Sequence, residues 1–370
     1  MPDAPLIGET IDRILPLDHG AMQAAQTRFD QLTKPQGALG WLEDLGIWLA
    51  GATGDPTPLL PRKTTVVAAA DHGVAASGVS AYPSAVTTAM VHNFLAGGAA
   101  INVMARANGS TVLIVDAGVA EEIVPPDGTS PMRFQSRRLG RGTADISRGE
   151  AMSVEQAEQA VVHGIEVVQS LREVGLDIVA TGDMGIGNTT AAAAITALCA
   201  EAEIDEVTGR GTGVDDAGLD RKRAAVKKAL ITNQPDVSDG IDILHKIGGF
   251  EIGVLAGVIL GAAAEKVPVV LDGFISGAAA LVAQALAPQS IEHCVAAHVS
   301  AEPGHTAALE RLGLTPYIDL EMRLGEGTGA VLFFGHVEAA TRVLSEMATF
   351  DEASVPERSV PGRSGPEREA

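Results

Sequence analysis

Residues 176–200 read LDIVATGDMGIGNTTAAAAITALCA and contain, in order, an apolar run, a glycine-rich turn and an alanine-rich segment. The short apolar run predicts a buried β-strand, and the glycines after it predict a tight turn. Asn188 and Thr189 favour helix starts, so the alanine-rich segment is expected to be helical from about Asn188 onward. A strand followed at once by a helix is the unit from which parallel sheets are built.

Similar apolar runs recur on both sides of this stretch, each followed by Gly, Asp or His. They are contained in TTVVAAADHG at 64–73, TVLIVDAG at 111–118, VPVVLDGF at 267–274 and HCVAAHVS at 293–300. Helical sequence lies between them, and this alternation predicts an α/β fold with a parallel sheet flanked by helices. Functional residues should then collect at the carboxyl ends of the strands.

The two ends of the chain have helical patterns instead. MQAAQTRFDQLT stops at Lys34-Pro35 and LGWLEDLGIWLAGATG ends in glycine, so residues 1–60 are expected to be mainly helical. HVEAATRVLSEMATF, at 336–350, has a similar pattern. The last stretch, 351–370, is polar and rich in Pro, Ser and charge, which predicts a disordered tail. The α/β part is thereby limited to residues 61–335.

The composition argues against several classes of partner. A formal net charge of −21 disfavours nucleic acid and anionic membrane surfaces, because both are bound by clustered Lys and Arg. The most apolar region, 252–286, is interrupted by Glu265, Lys266, Pro268 and Asp272, which predicts a buried helix, strand and helix rather than a membrane span. Two isolated cysteines, and an acidic N-terminus without an apolar core, favour a cytoplasmic location.

The turn after residue 182 is a candidate anion site. Backbone N–H groups at a helix start, together with threonine hydroxyls, bind phosphate well. The alternative is a capped turn without a ligand, since Asn and Thr are ordinary N-cap residues. No Gly-Lys-Ser/Thr follows, so this is not a Walker loop. The glycines at 182, 185 and 187 have the reverse of the dinucleotide-binding order, which disfavours an NAD-dependent oxidoreductase.

Two further segments offer groups for the same ligand. GRGTGVDDAGLDRKRAAVKKAL, at 209–230, joins a glycine-rich loop to a basic helix in which Lys222 either neutralises a phosphate or lies on a solvated face. HVSAEPGH, at 298–305, offers Ser300 for polar contacts with a substrate. With His293 and Cys294 it also suggests a metal site, which the absence of zinc-type spacing disfavours.

Glu326 is the candidate general base. It lies in LGEGTGA, at 324–330, where glycines let the backbone approach a ligand and apolar neighbours can raise the proton affinity of a carboxylate. The alternative is a glutamate in a solvent-facing turn. Asp71 and His72 resemble part of a hydrolytic triad, but the chain contains no Gly-x-Ser-x-Gly motif, which disfavours serine hydrolase chemistry.

These segments occur together and in order in one family. LTKPQGALGWLE, ADHGV, GVSAYPSAVT, NFLAGGAAIN, GDMGIGNTT, GRGTGVDD, GGFEIGVLAG, LDGFISGAAA, SAEPGH and LGEGTGA span roughly residues 30–335. On these segments the chain resembles the nicotinate-nucleotide–dimethylbenzimidazole phosphoribosyltransferases. The resemblance implies that nicotinate mononucleotide and 5,6-dimethylbenzimidazole give α-ribazole 5′-phosphate and nicotinate, for the nucleotide loop of cobalamin. It implies a Rossmann-like sheet, a smaller helical domain formed by 1–60 and 336–350, a homodimer, and neither metal nor cofactor.

The resemblance also implies roles for individual residues. Glu326 would take the proton from the incoming base, with inversion at C1′. The nucleotide would be bound by Asp183, Gly185, Gly187, Asn188, Thr189, Lys222 and Ser300. The base would be bound by Ser80, Tyr82, Met184 and Leu324.

The chain departs from the family pattern at three positions. Asp183 stands where Glu is common, so the charge is kept and its reach is shorter. Ala85 and Ala89 stand where many members read EVTxQMV, and the Gln missing at 89 would face the base. These departures leave the preferred base open. A nucleotide-binding protein without catalysis is the remaining alternative, and the presence of Glu326 disfavours it.

Overall fold

The computed structural model describes residues 4–356, and within them a six-stranded parallel sheet forms the centre of the molecule. The strands are β1 Lys63–Ala70, β2 Thr111–Gly118, β3 Phe134–Ser136, β4 Ile178–Met184, β5 Val269–Leu271 and β6 Cys294–Ala296. Their order is β3-β2-β1-β4-β5-β6, which is that of doubly wound, Rossmann-like sheets. The predicted fold class is confirmed.

Fifteen α-helices accompany these strands in the described residues. They are α1 Ala4–Asp12, α2 His19–Gln31, α3 Trp41–Thr53, α4 Ala85–Ala96, α5 Ala100–Ala107, α6 Val154–Val174, α7 Asn188–Cys199, α8 Ile204–Val207, α9 Asp216–Asn233, α10 Gly240–Ile247, α11 Phe250–Ala264, α12 Phe274–Leu286, α13 Gly304–Leu312, α14 Thr328–Glu346 and α15 Phe350–Ala353. In this described part, no helix combines the length and the apolar character needed to cross a bilayer.

The central strands are apolar because the sheet is covered on both faces. Every residue of β1 is buried, and Val66 pairs with Leu113 of β2 on one side and Thr181 of β4 on the other. The predicted helix, strand and helix of 252–286 are α11, β5 and α12, and residues 250–263 of α11 are all buried.

The sheet contains one strand that the sequence did not predict. β3 is only three residues long, lies at the sheet edge and is not apolar throughout, so it lacks the pattern of the other strands. The expected strand at 293–300 is divided into β6 and a two-residue strand, β7 His298–Val299. β7 pairs in parallel with β8 Ile318–Asp319 in a second, two-stranded sheet.

The strand order places β1 beside β4, where the chain reverses the direction in which it adds strands. In doubly wound sheets the crevice at this switch point, at the carboxyl ends of the strands, is where ligands bind. Asp71 and His72 follow β1 there, and Asp183 and Met184 end β4. These residues are therefore at the expected place for a functional site.

The described residues divide into two compact units, 4–17 with 60–335 and 18–59 with 336–356. The smaller unit contains α2, α3, the later part of α14, and α15. Its core is formed around Phe29, which is wholly buried. The residues packed there are Ala21, Ala25, Leu32, Ala50 and Leu344.

Two expectations about the chain ends need correction. α1 was expected in the small helical domain, but it belongs to the larger unit, because Ile7 and Ile14 are buried in the core with α6 and α11. The tail was expected from residue 351, but α15 covers residues 350–353. Thr349 caps this helix by accepting a hydrogen bond from the Glu352 N–H at 3.2 Å. The rest of the predicted tail, from 357, lies outside the described residues.

Candidate active site

Glu326 lies in a loop with an unusual backbone. Gly325, Glu326 and Gly327 have φ values of 80°, 64° and 86°, so three successive residues are left-handed, immediately before α14. This conformation costs a residue with a side chain about 1–2 kcal/mol, and such strain often marks a functional position. A turn without a functional role would have glycine at position 326 instead.

The carboxylate of Glu326 is buried rather than solvent-facing. The residue is only 4% exposed, and its Oε2 accepts a hydrogen bond of 3.3 Å from the N–H of Ile101, in the first turn of α5. Burial raises the pKa of Glu326, the Ile101 hydrogen bond opposes this, and the charge of Asp272 raises the pKa further. A carboxylate of raised proton affinity is suited to accept a proton near neutral pH.

Asp272 holds the Glu326 loop in place. It directly follows β5, and its carboxylate accepts hydrogen bonds from the N–H groups of Gly327, Gly329 and Ala330 at 3.2, 2.7 and 3.0 Å. It thereby caps α14. His298 Nε2 lies 3.6 Å from Asp272 Oδ1; burial lowers the pKa of His298, but the Asp272 carboxylate more than offsets this, so the pKa is raised. Asp272 directly follows the apolar run VPVVL, and a charged residue at the end of a predicted strand was the sequence feature that indicated this capping role.

Asp183 brings a third carboxylate to the same edge. Its backbone C=O accepts a hydrogen bond of 3.2 Å from the N–H of Glu326, and its Oδ2 accepts one of 2.9 Å from Asn188 Nδ2. Burial raises the pKa of Asp183 well above its ordinary value, and the charges of Asp272, Glu251 and Glu326 add to the effect. Asp183, Asp272 and Glu326 are therefore close enough for the charge of one to affect the pKa of another.

The glycine-rich turn after β4 leads directly into α7, as predicted. Gly187 adopts φ 100°, and α7 begins at Asn188. The N–H of Ile186 donates a hydrogen bond of 3.1 Å to Thr87 Oγ1 of α4, which ties the turn to the segment after β1. Gly185, Gly187, Asn188 and Thr189 thus form one compact turn at a helix N-terminus.

Lys222 reaches this turn from α9. The residue is wholly buried, and its Nζ donates hydrogen bonds to Thr189 Oγ1 at 2.8 Å and to the C=O of Gly209 at 3.0 Å. Burial lowers the pKa of Lys222 to about 8, and the charge of Glu302 opposes the fall. Its neighbours Arg221, Lys227 and Lys228 are exposed, so the solvated-face interpretation applies to them and not to Lys222.

Ser300 is buried beside β5 and is not in the turn itself. Its N–H donates a hydrogen bond of 2.8 Å to His305 Nδ1, and its Oγ accepts one of 3.3 Å from the N–H of Glu302. His293 Nε2 instead lies 2.9 Å from the C=O of Leu15. In the described residues, no group of three or more His, Cys, Asp and Glu side chains is placed to hold a metal ion.

The residues expected to bind the base are more exposed than those of the turn after β4. Ser80 Oγ lies 3.1 Å from Thr212 Oγ1, in the loop that carries Gly209. Tyr82 and Leu324 are 55% and 56% exposed, and Met184 is half-buried at the end of β4. Ala85 and Ala89 are exposed on α4.

Sequence reasoning missed a buried contact between a histidine and a glutamate next to the turn. His72 Nε2 lies 2.7 Å from Glu251 Oε1, and both side chains are wholly inaccessible to solvent. His72 follows β1, and Glu251 lies in the first turn of α11. Both residues are in segments that carried the family resemblance, ADHGV and GGFEIG. Glu251 is a charged residue inside an otherwise apolar helix, and this was the sequence feature that indicated a buried partner.

The fold and this site define a phosphoribosyltransferase: the family model of that description matches residues 14–355. The nicotinate-nucleotide–dimethylbenzimidazole phosphoribosyltransferase of Roseiflexus sp. strain RS-1 is 57% identical over 350 residues, which are 95% of this chain and 98% of the relative. That of Chloroflexus aggregans is 54% identical with the same coverage. The crystal structure of the enzyme of this name from Thermus thermophilus has a TM-score of 0.86 and 45% identity, covering 92% of this chain and all of that one. The chain belongs to the nicotinate-nucleotide–dimethylbenzimidazole phosphoribosyltransferase family, which confirms the resemblance.

Proposed function

We propose that the protein transfers the phosphoribosyl group of nicotinate mononucleotide to 5,6-dimethylbenzimidazole, with Glu326 as the general base. Membership of the family supports the reaction. The observation that carries the role of Glu326 is its buried carboxylate of raised pKa, located in a left-handed loop next to the carboxyl end of β4. A structural turn has no need of either feature.

The chemistry requires one base and no acid. The bond from C1′ to the pyridinium nitrogen breaks, and its electron pair neutralises that nitrogen, so nicotinate leaves without protonation. One nitrogen of the benzimidazole attacks C1′ from the opposite face, which turns a β linkage into an α linkage. The other nitrogen loses its proton to Glu326. Positive charge that develops on the ribose during this exchange is stabilised by the nearby carboxylate of Asp272.

The phosphate of the nucleotide is assigned to the turn after β4. Gly185, Gly187, Asn188 and Thr189 present a helix N-terminus, and Lys222 adds a positive charge beside Thr189. Asp183, at the start of the turn, and Ser300, near β5, are assigned to the rest of the nucleotide. The anionic end of the substrate is thereby assigned to N–H groups and an ammonium.

The base is assigned to the side of the site formed by Ser80, Tyr82, Met184 and Leu324. Alanine at 89 leaves this side without the amide that Gln would supply, and alanine at 85 leaves it without the carboxylate of Glu. Turnover measured with a panel of benzimidazoles and purines establishes the preferred base. Equal rates for all of them would contradict the assignment of a selective pocket to these residues.

The test of the catalytic role is Glu326→Gln, with Glu321→Gln as the matched control. Glu321 also has a positive φ, 54°, but is exposed, so the control repeats the chemical change in a similar backbone away from the buried site. We expect Glu326→Gln to bind nicotinate mononucleotide normally and to lose about 10²–10⁴-fold in kcat, the usual contribution of a general base. Near-normal kcat in Glu326→Gln would exclude Glu326 as the base.

We also propose a cytoplasmic homodimer. The family resemblance supports the dimer, and the two cysteines, both buried and free, fit a reducing compartment. Light scattering during size-exclusion chromatography measures the mass directly. A mass near 37.9 kDa, that of one chain, would contradict the dimer.

A further inference from the structure

The glycine-rich loop at 209–213 is held by side chains from three separate elements. The N–H of Gly211 donates a hydrogen bond of 2.9 Å to Glu302 Oε1, and its C=O accepts one of 3.0 Å from Arg323 Nη1. The C=O of Gly209 accepts the bond from Lys222 Nζ at 3.0 Å. The position of Lys222 at the candidate phosphate turn is therefore coupled, through this loop, to Glu302.

Glu302 is buried in an arrangement that leaves part of its charge uncompensated. The residue is 6% exposed, and its Oε2 has no hydrogen-bond partner in the described part of the chain. A Cβ at 209 would lie 2.2 Å from this oxygen and 2.6 Å from Pro303 Cδ, so the carboxylate lies directly against the loop. A nearby positive charge stabilises a buried carboxylate that has a free oxygen.

Lys222 is a buried cation close to this carboxylate, because its Nζ bonds the C=O of Gly209 and Glu302 Oε2 lies against the same glycine. Burial lowers the pKa of Lys222 to about 8, and Glu302 raises it. The arginines of the neighbouring segments have other partners: Arg221 bonds the C=O of Gly78, Arg223 pairs with Asp205, Arg210 pairs with Asp216, and Arg323 bonds the C=O of Gly211. Glu302 is thus the acidic group that favours the charged form of Lys222.

We propose that Glu302 is a positioning residue for the phosphoribosyl donor, which holds the 209–213 loop and keeps the Lys222 ammonium charged and directed at Thr189. This inference rests on the proposed assignment of the substrate phosphate to that turn. Glu302 does not contact the reacting atoms; it acts through Gly211 and Lys222. Without its charge, the buried amine loses its proton at lower pH and no longer attracts the phosphate.

Two neighbouring residues fix the orientation of Glu302. Its N–H donates to Ser300 Oγ at 3.3 Å, and the N–H of Ser300 donates to His305 Nδ1 at 2.8 Å. Burial lowers the pKa of His305 to about 3, so this imidazole stays neutral and remains an acceptor above that pH. A pH effect between 6.5 and 9 therefore does not arise from His305.

The direct test is a titration of Lys222 in the protein without substrate. The Cε signal of Lys222, assigned by its loss in Lys222→Arg, is followed by NMR from pH 6 to 10. We expect a midpoint near 8 in the wild type and about one unit lower in Glu302→Gln, since a nearby opposite charge shifts a pKa by roughly 1–3 units. The control is Glu310→Gln, an exposed change on α13. The same midpoint in wild type and Glu302→Gln would overturn the proposal.

The kinetic test separates this role from a structural one. Gln at 302 keeps an acceptor for Gly211 but loses the charge, so the KM for nicotinate mononucleotide should rise about fivefold at pH 8 and less than about twofold at pH 6.5, for a shift of about one unit. kcat should change little. A KM raised equally at both pH values, or unchanged at both, would overturn the proposal.

If Glu302→Gln does not fold, Lys222→Arg provides a second test of the proposal. Lys222→Arg carries a charge that is not lost below pH 12, so its KM should stay level from pH 7 to 9 while that of the wild type rises. A level KM in the wild type would contradict the inference. If the wild type transfers no phosphoribosyl group at all, the proposed function is contradicted. The NMR titration does not depend on that reaction, so it still tests the effect of Glu302 on Lys222.

Discussion

Gly182 and Glu326 are in such close contact that a methyl group at Gly182 would lie 2.6 Å from the C=O oxygen of Glu326. Gly182 is the residue of β4 just before Asp183, and Glu326 belongs to the loop before α14. The glycine thus allows the loop to lie directly on the strand. This contact sets the distance between Glu326, the proposed base, and the carboxyl end of β4.

Gly182→Ala should therefore displace the Glu326 loop. We expect a loss of about 1–3 kcal/mol in the free energy of unfolding, from overpacking, and a fall of about 100-fold in kcat, because an error of about 1 Å in a catalytic group has that effect. Gly149→Ala is the control, since a methyl group there meets nothing within 4 Å. Wild-type turnover in Gly182→Ala would show that this contact does not position the base.

The pH dependence of activity and stability should have opposite signs. Because burial and Asp272 place the pKa of Glu326 above its ordinary 4.5, kcat/KM should fall as the pH drops through that raised value. The proton is bound more tightly in the folded state, so the contribution of Glu326 to stability is complete below pH 4.5 and is lost as the pH rises through the folded pKa.

Denaturant titrations of the wild type and Glu326→Gln at several pH values measure this contribution. Glu326→Gln should gain stability relative to the wild type at pH 8, and the gain should shrink towards pH 4.5. If the difference in the free energy of unfolding between the wild type and Glu326→Gln does not vary with pH, the pKa of Glu326 is not raised.

Breaking the His72–Glu251 pair should damage the fold more than the loss of a surface pair. Glu251→Ala leaves a nitrogen of the wholly buried His72 without its hydrogen-bond partner, and such a loss costs about 1–3 kcal/mol. Glu346→Ala, which removes an exposed partner of Arg342, should cost less than about 1 kcal/mol. Equal midpoints of denaturant unfolding for the two variants would show that the buried pair is not structurally important.

Chelation should leave the activity unchanged, because the proposed chemistry consists of displacement and one proton transfer. Turnover is compared before and after prolonged treatment with EDTA. A loss of turnover that added zinc restores would revive the metal hypothesis for His293, Cys294 and the 298–305 segment.

Much of the fold was predictable because the central strands are continuous apolar runs that end in turn residues. β1, β2 and β4 are of this kind, and α7 starts at the predicted Asn188. β3 and β8 were not predictable, since two or three residues without an apolar pattern are stabilised by neighbours that the sequence does not reveal. α1 was misassigned because an amphipathic pattern does not identify the surface that its apolar face will contact.

The site was predictable where chemistry follows local sequence. The helix start at Asn188 after the glycine-rich turn was predicted, whereas the binding roles of the 185–189 turn and Lys222 stay predictions. The parts that depend on distant contacts were not foreseen: Asp272 capping α14, Glu302 on Gly211, and Glu251 with His72. Each of these carboxylates lies in or beside a predicted helix or strand, and its partner is far away in sequence.

The most direct test of the central claim is product analysis with purified wild-type protein, nicotinate mononucleotide and 5,6-dimethylbenzimidazole. NMR of the product reports both the new bond and the configuration at C1′. The proposed function predicts α-ribazole 5′-phosphate and an equal amount of nicotinate, with formation slowed about 10²–10⁴-fold in Glu326→Gln. A β-linked product, or an undiminished rate in Glu326→Gln, would contradict a displacement with inversion in which Glu326 is the base.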